Sequence, residues 1–409
     1  MPINQAELGR RIRAASEACG LTQEALAQQV GLTRIAVVQI EQGNRAVSSL
    51  ELDRIAFVLG RDIGDFFAEQ FSEQDALIAL FRLDPQIADR KEIVDALRQC
   101  LALGHEMTNL ERLLRIDRAQ LLTASYNLPA PRTRWDAIQQ GDRIAAEERQ
   151  RLGVGVVPLG DMTDLLESQG VRTGVVELPE DISGMTLSDS KVGIFVVINQ
   201  RHGDARRRFS LCHEYGHVLM DRDRFGAVSR DGNRDELLEV RANAFAASFL
   251  MPAEGLRQFI AGFGKGRPSR AAISVYDEKN VIDAEGREVP GSQEIKLYDV
   301  ALLADHFGVS RISALYRLKN LREISDAQFQ QLKSQDEDHG SALADLLGLS
   351  KPDREITNEF RQRFLGLALE AYRREEITRS KLLELGAMVG VKKDRISQML
   401  ASAGLDQAV

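Results

Sequence analysis

A chain of 409 residues, 44% hydrophobic and 28% charged, has the composition of an ordinary globular protein and the length for two to four domains. Its net charge of −8 argues against a protein that coats nucleic acid or a membrane surface along its whole length, but leaves room for one small DNA-reading domain. The three cysteines, Cys19, Cys100 and Cys212, lie far apart and in no CxxC spacing, which excludes a disulfide framework or a thiolate cluster. With no signal-peptide pattern and no apolar run of membrane-spanning length, the sequence predicts a soluble, cytoplasmic protein with no membrane partner.

In chain order, residues 5–68 predict several short helices, with Gly20, Gly31, Gly43 and Gly60 at stop positions. Thr22 is an N-cap candidate for a helix beginning Gln23-Glu24-Ala25-Leu26-Ala27, with Glu24 in its first turn. Gly31 closes it, Thr33 opens a second helix through Ile40, and Gly43 ends that one. Two short helices about a glycine turn make a helix-turn-helix, whose second helix enters the major groove with its N-terminal residues toward base edges. On that helix Thr33, Arg34, Ala36 and Gln39 are expected to face outward, and Ile35, Val38 and Ile40 inward. Gln23, Asn44 and Arg45 are candidate phosphate contacts. Residues 6–66 resemble the Xre (Cro/repressor-type) helix-turn-helix through Leu21-Thr22-Gln23-Glu24-Ala25-Leu26-Ala27 and Ile40-Glu41-Gln42-Gly43-Asn44-Arg45. The resemblance implies double-stranded operator DNA as a partner. Residues 1–62 hold seven Lys/Arg against seven Asp/Glu, so sequence-independent attraction to phosphates is expected to be weak. A helical protein-interaction domain is the alternative.

Residues 72–125 are helical in pattern, with Leu77, Leu80, Leu83, Leu110, Leu113 and Leu114 as an apolar stripe. They read as a connector or a dimerisation element, so a homodimer is one expectation. A linker containing Pro129 and Pro131 follows. Residues 135–262 then predict helices over Trp135–Leu152 and Met162–Gln169, strands over Val171–Leu178 and Gly193–Asn199, and helices over about Arg206–Met220 and Asp235–Leu250. Beyond them, Ala284-Glu285-Gly286-Arg287 looks like a turn.

The chemistry lies in His213-Glu214-Tyr215-Gly216-His217. Residues four apart on a helix share one face, one turn apart, so two imidazoles there reach one cation from the same side. Glu214 stands beside the first histidine, where a general base belongs and where it need not ligate. A third protein ligand is required, and the nearest acidic cluster downstream is Asp235, Glu236 and Glu239. Glu239 is the choice because Ala242, Asn243, Phe245 and Ala246 give its helix a packed face. Asp235 and Glu236 fit the solvent-facing start of that helix. His105, His202, His306 and His339 have no comparable partners, and Cys212 points about 100° round the helix from His213.

These residues carry a second resemblance. Val197-Ile198-Asn199, Arg206 to His217, Glu239-Val240-Arg241-Ala242-Asn243-Ala244-Phe245-Ala246 with Phe249-Leu250-Met251-Pro252, and Ile182-Ser183-Gly184 together resemble the ImmA/IrrE family of metallopeptidases over roughly residues 135–260. The resemblance implies a gluzincin-like minimal peptidase fold, Zn2+ held by His213, His217 and Glu239, Glu214 as catalytic base, and a repressor or other protein as substrate. Residues 294–409 return to helices: Val300 to Leu318 read helix, glycine turn, helix, and Lys381 to Leu400 do so again through Gly390. Either is a candidate second helix-turn-helix, or a surface that packs on the peptidase core; no clear internal repeat stands out. The fold class is therefore mainly α with a small β component. A helix-turn-helix domain (1–68), a helical connector (69–134), a peptidase domain (135–293) and a helical C-terminal domain (294–409) are expected. The expected function is a DNA-binding transcriptional regulator whose zinc endopeptidase cleaves a repressor or toxin in a stress, prophage or toxin–antitoxin response. The alternative is a zinc domain that serves as sensor or scaffold without turnover.

Overall fold

The hydroxyls of Thr22, Thr33 and Ser48 each accept a hydrogen bond from the backbone N–H three residues on, and each opens a helix. In this computed structural model, residues 3–18, 21–59, 61, 63–67, 90–116, 124–189, 192–222, 228–230, 232, 235–265, 270–277, 280–287, 291–349 and 357–402 are described. The three helices are α2 (Gln23–Val30), α3 (Arg34–Glu41) and α4 (Ser49–Val58), preceded by α1 (Gln5–Ala18) and followed by a 3₁₀ turn, Ile63–Phe67. Ile12, Leu26, Val37, Ile40, Ile55 and Phe66 form their common core. The expected register of α3 is corrected. Val37, Ile40 and Glu41 are buried, Ala36 and Val38 are half-buried, and Ile35 is 70% exposed. Ile35-Ala36-Val37-Val38 is apolar throughout, so composition leaves the phase open. Once 37, 40 and 41 face the core, residues 35 and 39 share the opposite side.

Of the expected connector stripe, Leu77, Leu80 and Leu83 lie outside the described residues. Leu110 and Leu114 are buried on or beside α5 (Lys91–Leu113). Next come α6 (Arg134–Arg151), α7 (Met162–Ser168), β1 (Arg172–Val176), β2 (Ile182–Asp189), β3 (Gly193–Asn199), α8 (Asp204–Met220), β4 (Val228–Arg230), α9 (Leu237–Leu250) and α10 (Ala253–Gly262). The strands form one sheet in the order β1-β3-β2-β4, with β1 parallel to β3 and β2 antiparallel to β3 and β4. Alternation along β3 divides its side chains between two cores. Val196 and Ile198 join Leu211, Tyr215, Phe245 and Phe249 of α8 and α9. Phe195 and Val197 join Ile93, Leu97, Cys100 and Leu101 of α5 on the other side. Helices α6 and α9 lie against each other at Gly141, where a Cβ would stand 2.7 Å from the Phe245 amide nitrogen.

A separate antiparallel hairpin consists of β5 (Arg270–Asp277) and β6 (Asn280–Arg287). Ala284 to Arg287 therefore lie in a strand, opposite Ile273 to Arg270, and are not the expected turn. Glycine fits an edge of a two-stranded ribbon as readily as a bend, and the pairing partner decides between them. Six further helices follow among the described residues: α11 (Leu297–Phe307), α12 (Arg311–Asn320), α13 (Asp326–Leu346), α14 (Thr357–Arg373), α15 (Arg379–Met388) and α16 (Lys393–Ser402). Val300, Phe307, Leu315 and Phe329 belong to the same apolar cluster as Phe245 and Phe249, so the division expected at residue 293 falls between segments that share one core. Phe364, Leu385, Ile396 and Leu400 instead pack on Met107, Leu110 and Leu114 of the α5 region. Among the described residues no helix is long and apolar enough to cross a membrane.

Candidate metal centre

Helix α8 is buried almost continuously from Ser210 to Met220, which carries the His-Glu-Tyr-Gly-His run into the interior. Tyr215 anchors it: its hydroxyl donates to Glu148 of α6. Glu148 also accepts from the Tyr126 hydroxyl at 2.9 Å and takes a paired contact from Arg151 at 2.7 Å. Burial opposes ionisation of Glu148, but Arg151 and the two tyrosine hydroxyls outweigh it and hold the carboxyl below its ordinary range.

With the helix fixed, His213 Nε2 and His217 Nε2 stand 3.1 Å apart. Glu239 reaches in from α9, with Oε2 3.1 Å from His213 Nε2 and Oε1 3.4 Å from His217 Nε2. The outer nitrogens are engaged. His213 Nδ1 meets Asn243 Oδ1 at 3.0 Å, and His217 Nδ1 meets Asp221 Oδ2 at 2.9 Å. Asp221 is itself held by Arg241, which also donates to Gln140 at 2.8 Å. A carboxylate can only accept, so Asp221 keeps a proton on His217 Nδ1 and turns the Nε2 lone pair inward, toward the lone pairs of His213 and Glu239. Converging lone pairs repel unless a cation sits among them. Their spacings are close to the roughly 3.3 Å expected between donors about 2.0–2.1 Å from a tetrahedral ion. The donor set therefore fits a metal. Without one, burial lowers the His217 pKa, but Asp221 and Glu239 outweigh it and push it up to about 10. Burial likewise raises Glu239, and the two histidines more than reverse this, leaving it well below the carboxylate range.

Glu214 lies on the sheet side of the same helix. Its Oε2 accepts from Thr186 Oγ1 of β2 at 2.7 Å, while Oε1 is buried with no hydrogen-bond partner among the described residues. Asp235 and Glu236 are exposed at the start of α9, and Asp235 pairs with Arg134 at 3.1 Å, away from the ligand set. Sequence reasoning missed Thr186, Asp221 and Asn243, as well as Ser229, whose Oγ lies 3.1 Å from His213 Nε2. Two of these carried a readable signal. Asp221 stands four residues after His217, and Asn243 four after Glu239, the spacing of one helical face.

In the head, Thr33, Arg34, Gln39 and Asn44 are exposed and Ala36 is half-buried. Gln23 donates to Glu41 at 2.7 Å, and Arg45 pairs with Glu51 at 2.6 Å. Both are thus engaged inside the domain, which disfavours them as phosphate contacts.

A model of the IrrE N-terminal-like domain matches residues 170–267, and a helix-turn-helix domain model matches residues 7–65. The chain thus carries a helix-turn-helix domain at its head and an IrrE N-terminal-like domain further on. The head is similar to known proteins in its own right. An uncharacterized HTH-type transcriptional regulator of Methanothermobacter thermautotrophicus is 44% identical over 57 residues, 14% of this chain and 83% of that protein. The IrrE-like stretch spans β1–β4, α8 and α9, and so includes His213, Glu214, His217, Glu239 and their partners Thr186, Asp221, Ser229 and Asn243. It is a metallopeptidase-like domain with a His, His, Glu group suited to a metal ion.

Proposed function

We propose that this protein is a cytoplasmic, DNA-binding transcriptional regulator whose ImmA/IrrE domain is a zinc-dependent endopeptidase that cleaves a repressor, toxin or other partner protein in a stress or prophage response. In this reading residues 1–68 bind operator DNA, 69–134 connect, 135–293 form the peptidase unit, and 294–409 extend it. The observation that carries it is the convergence of His213, His217 and Glu239 beside a buried Glu214 oxygen with no hydrogen-bond partner among the described residues. The relative's name, a transcriptional regulator, supports the role of the head.

His213, His217 and Glu239 would hold the zinc. When bound, zinc supplies the Lewis acidity that polarises a peptide carbonyl and lowers the pKa of water. The protein's own part is proton transfer. Glu214 Oε1 accepts a proton from water as the water oxygen bonds to the carbonyl carbon, and returns it to the amide nitrogen as the C–N bond breaks. Thr186 keeps Oε2 in place, so that Oε1 is the oxygen presented. A second reading has an observation behind it: Glu214, His213, Glu239 and His217 are only 1%, 5%, 6% and 9% exposed, which suits a metal that stabilises a sensor or scaffold without turnover.

Two substitutions separate the readings. Glu214→Gln should keep zinc by mass spectrometry and keep DNA binding, while cleavage of the proteins encoded beside its gene falls by about 10²–10⁴-fold. Glu239→Gln should lose zinc as well. Intact regulatory output from Glu214→Gln would establish the scaffold reading in place of the peptidase.

A further inference from the structure

The junction between α2 and α3 has two counterparts among the described residues, where a left-handed glycine with the same backbone bond is followed three residues on by a new helix. In the head, Gly31 sits at φ +68° and the Leu32 N–H donates to the Ala27 carbonyl at 2.9 Å. Between α11 and α12, Gly308 sits at φ +65° and Val309 donates to Ala304 at 2.9 Å. Between α15 and α16, Gly390 sits at φ +72° and Val391 donates to Gly386 at 2.8 Å. The left-handed glycine closes the first helix and the bond from the next residue fixes the angle of departure. Side chains follow the same frame: Leu26 and Val37 correspond to Leu303 and Ala314, and to Leu385 and Ile396, all buried. Among the described residues there are thus three helix-turn-helix units, although the sequence shows no clear repeat.

The units differ in what their second helix presents. On α12 the place of Gln39 is held by Tyr316, which is 49% exposed, while the charged side chains of the helix are engaged within the protein. Leu315 is buried and Arg311 pairs with Asp336 of α13. Arg317 donates to the Met251 carbonyl and to Asp142, both at 3.1 Å. That unit is built into the peptidase core. Helix α16 instead repeats the burial pattern of α3. Ile396 and Leu400 face inward, and Lys392, Lys393, Asp394, Arg395 and Gln398 are exposed. Gln398 occupies the place of Gln39. Lys392, Lys393 and Arg395 have no ion-pair partner among the described residues. Residues 357–402 hold nine Lys/Arg against six Asp/Glu, in a chain of net charge −8 and beside a balanced head. Phe57 and Arg61 of the head, Arg98 and Arg112 of α5, and Met388 of α15 line one cleft of about 650 Å³, so this unit and the head are neighbours.

We propose that α15 and α16 form a second DNA-contacting helix-turn-helix, with Lys392 just before α16 and Lys393 and Arg395 on it against the phosphates of duplex DNA, and Gln398 toward base edges. Surface cations that replace condensed counterions supply affinity, and the amide supplies readout. Linking this unit to the head makes the second contact intramolecular and raises the avidity for one duplex.

The test uses the full chain and a labelled random-sequence duplex, with the dissociation constant followed by fluorescence anisotropy across salt concentrations. Lys392→Ala/Lys393→Ala/Arg395→Ala should lower the slope of log K against log salt by about 2–3, at about 0.9 for each lost phosphate contact. The same loss should appear in a protein already carrying Arg34→Ala and Gln39→Ala, which separates this unit from the head. If only the head variant weakens binding and the triple variant keeps the wild-type slope, the proposal is overturned while the head reading stands. Should the triple variant melt at lower temperature, Lys393→Ala alone decides: a fall of about one in slope upholds the proposal, and no change overturns it.

Discussion

At Glu214 the two oxygens of one carboxylate occupy different surroundings: Thr186 engages one, and the other is buried with no hydrogen-bond partner among the described residues. The same asymmetry organises the histidines, whose outer nitrogens are spent on Asn243 and Asp221 so that the inner ones converge. Asp221 therefore acts on the metal through His217, fixing its tautomer and raising its basicity, and Arg241 keeps the carboxylate from turning away. Asp221→Asn retains the size and one acceptor but removes the charge. It should weaken zinc affinity by about 10–100-fold, as loss of such a partner commonly does, while leaving the protein folded. Competition with a chromogenic chelator measures this, and an unchanged affinity would reduce Asp221 to a packing residue. A proton on His217 competes with the metal, so affinity should also fall as pH is lowered.

At the scale of the element, α3 makes a prediction that separates its two possible registers. Val37 is 1% exposed and Ile35 is 70% exposed. Val37→Ala deletes two buried methyl groups and should cost about 2 kcal/mol of head stability, at about 0.8 kcal/mol per group plus the cavity. Ile35→Ala should change stability by less than about 0.5 kcal/mol. Urea unfolding of the two variants decides; a larger loss from Ile35→Ala would restore the register expected from the sequence. That error shows what was legible. Caps and stops were readable, because Thr22, Gly31 and Thr33 act on their own neighbourhood through local hydrogen bonds. The histidine face was readable because one helical turn fixes it. The phase of Ile35 to Val38 was not, since every residue there is apolar and only the facing helices choose. Strand β2 was missed for a related reason: Ser183, Gly184, Ser188 and Asp189 lack strand character, and the strand exists because β3 and β4 pair with it on both sides. Thr186, the partner of Glu214, was hidden with it.

Across the whole molecule, α5 links regions that the sequence presents as separate. Its first half covers one face of the sheet and its second half covers α14–α16. Between these two contacts runs an ionic chain that is buried except at Arg363, which is 46% exposed. Arg172 of β1, 2% exposed, meets Glu111 of α5 at 2.5 Å and Thr108 at 2.9 Å, and Arg363 of α14 reaches both Glu167 of α7 and Glu111. Such a chain adds little if replaced whole by apolar groups, but removing one member strands a buried charge. Arg172→Ala should therefore cost about 3–5 kcal/mol, and Arg172→Met with Glu111→Leu should recover most of it. The loss should also be uneven. The core around Tyr215, Phe245 and Phe249 does not depend on α5, so amide exchange should speed up in α5 and α14–α16 while α8 and α9 keep their protection. Hydrogen exchange by mass spectrometry reads both regions in one sample. Uniform loss of protection across α8, α9 and α14–α16 would mean a single cooperative unit. No loss anywhere would mean that the ionic chain carries no weight. The uneven outcome makes α5 the element through which the C-terminal helices and the metal-bearing sheet are held in one arrangement.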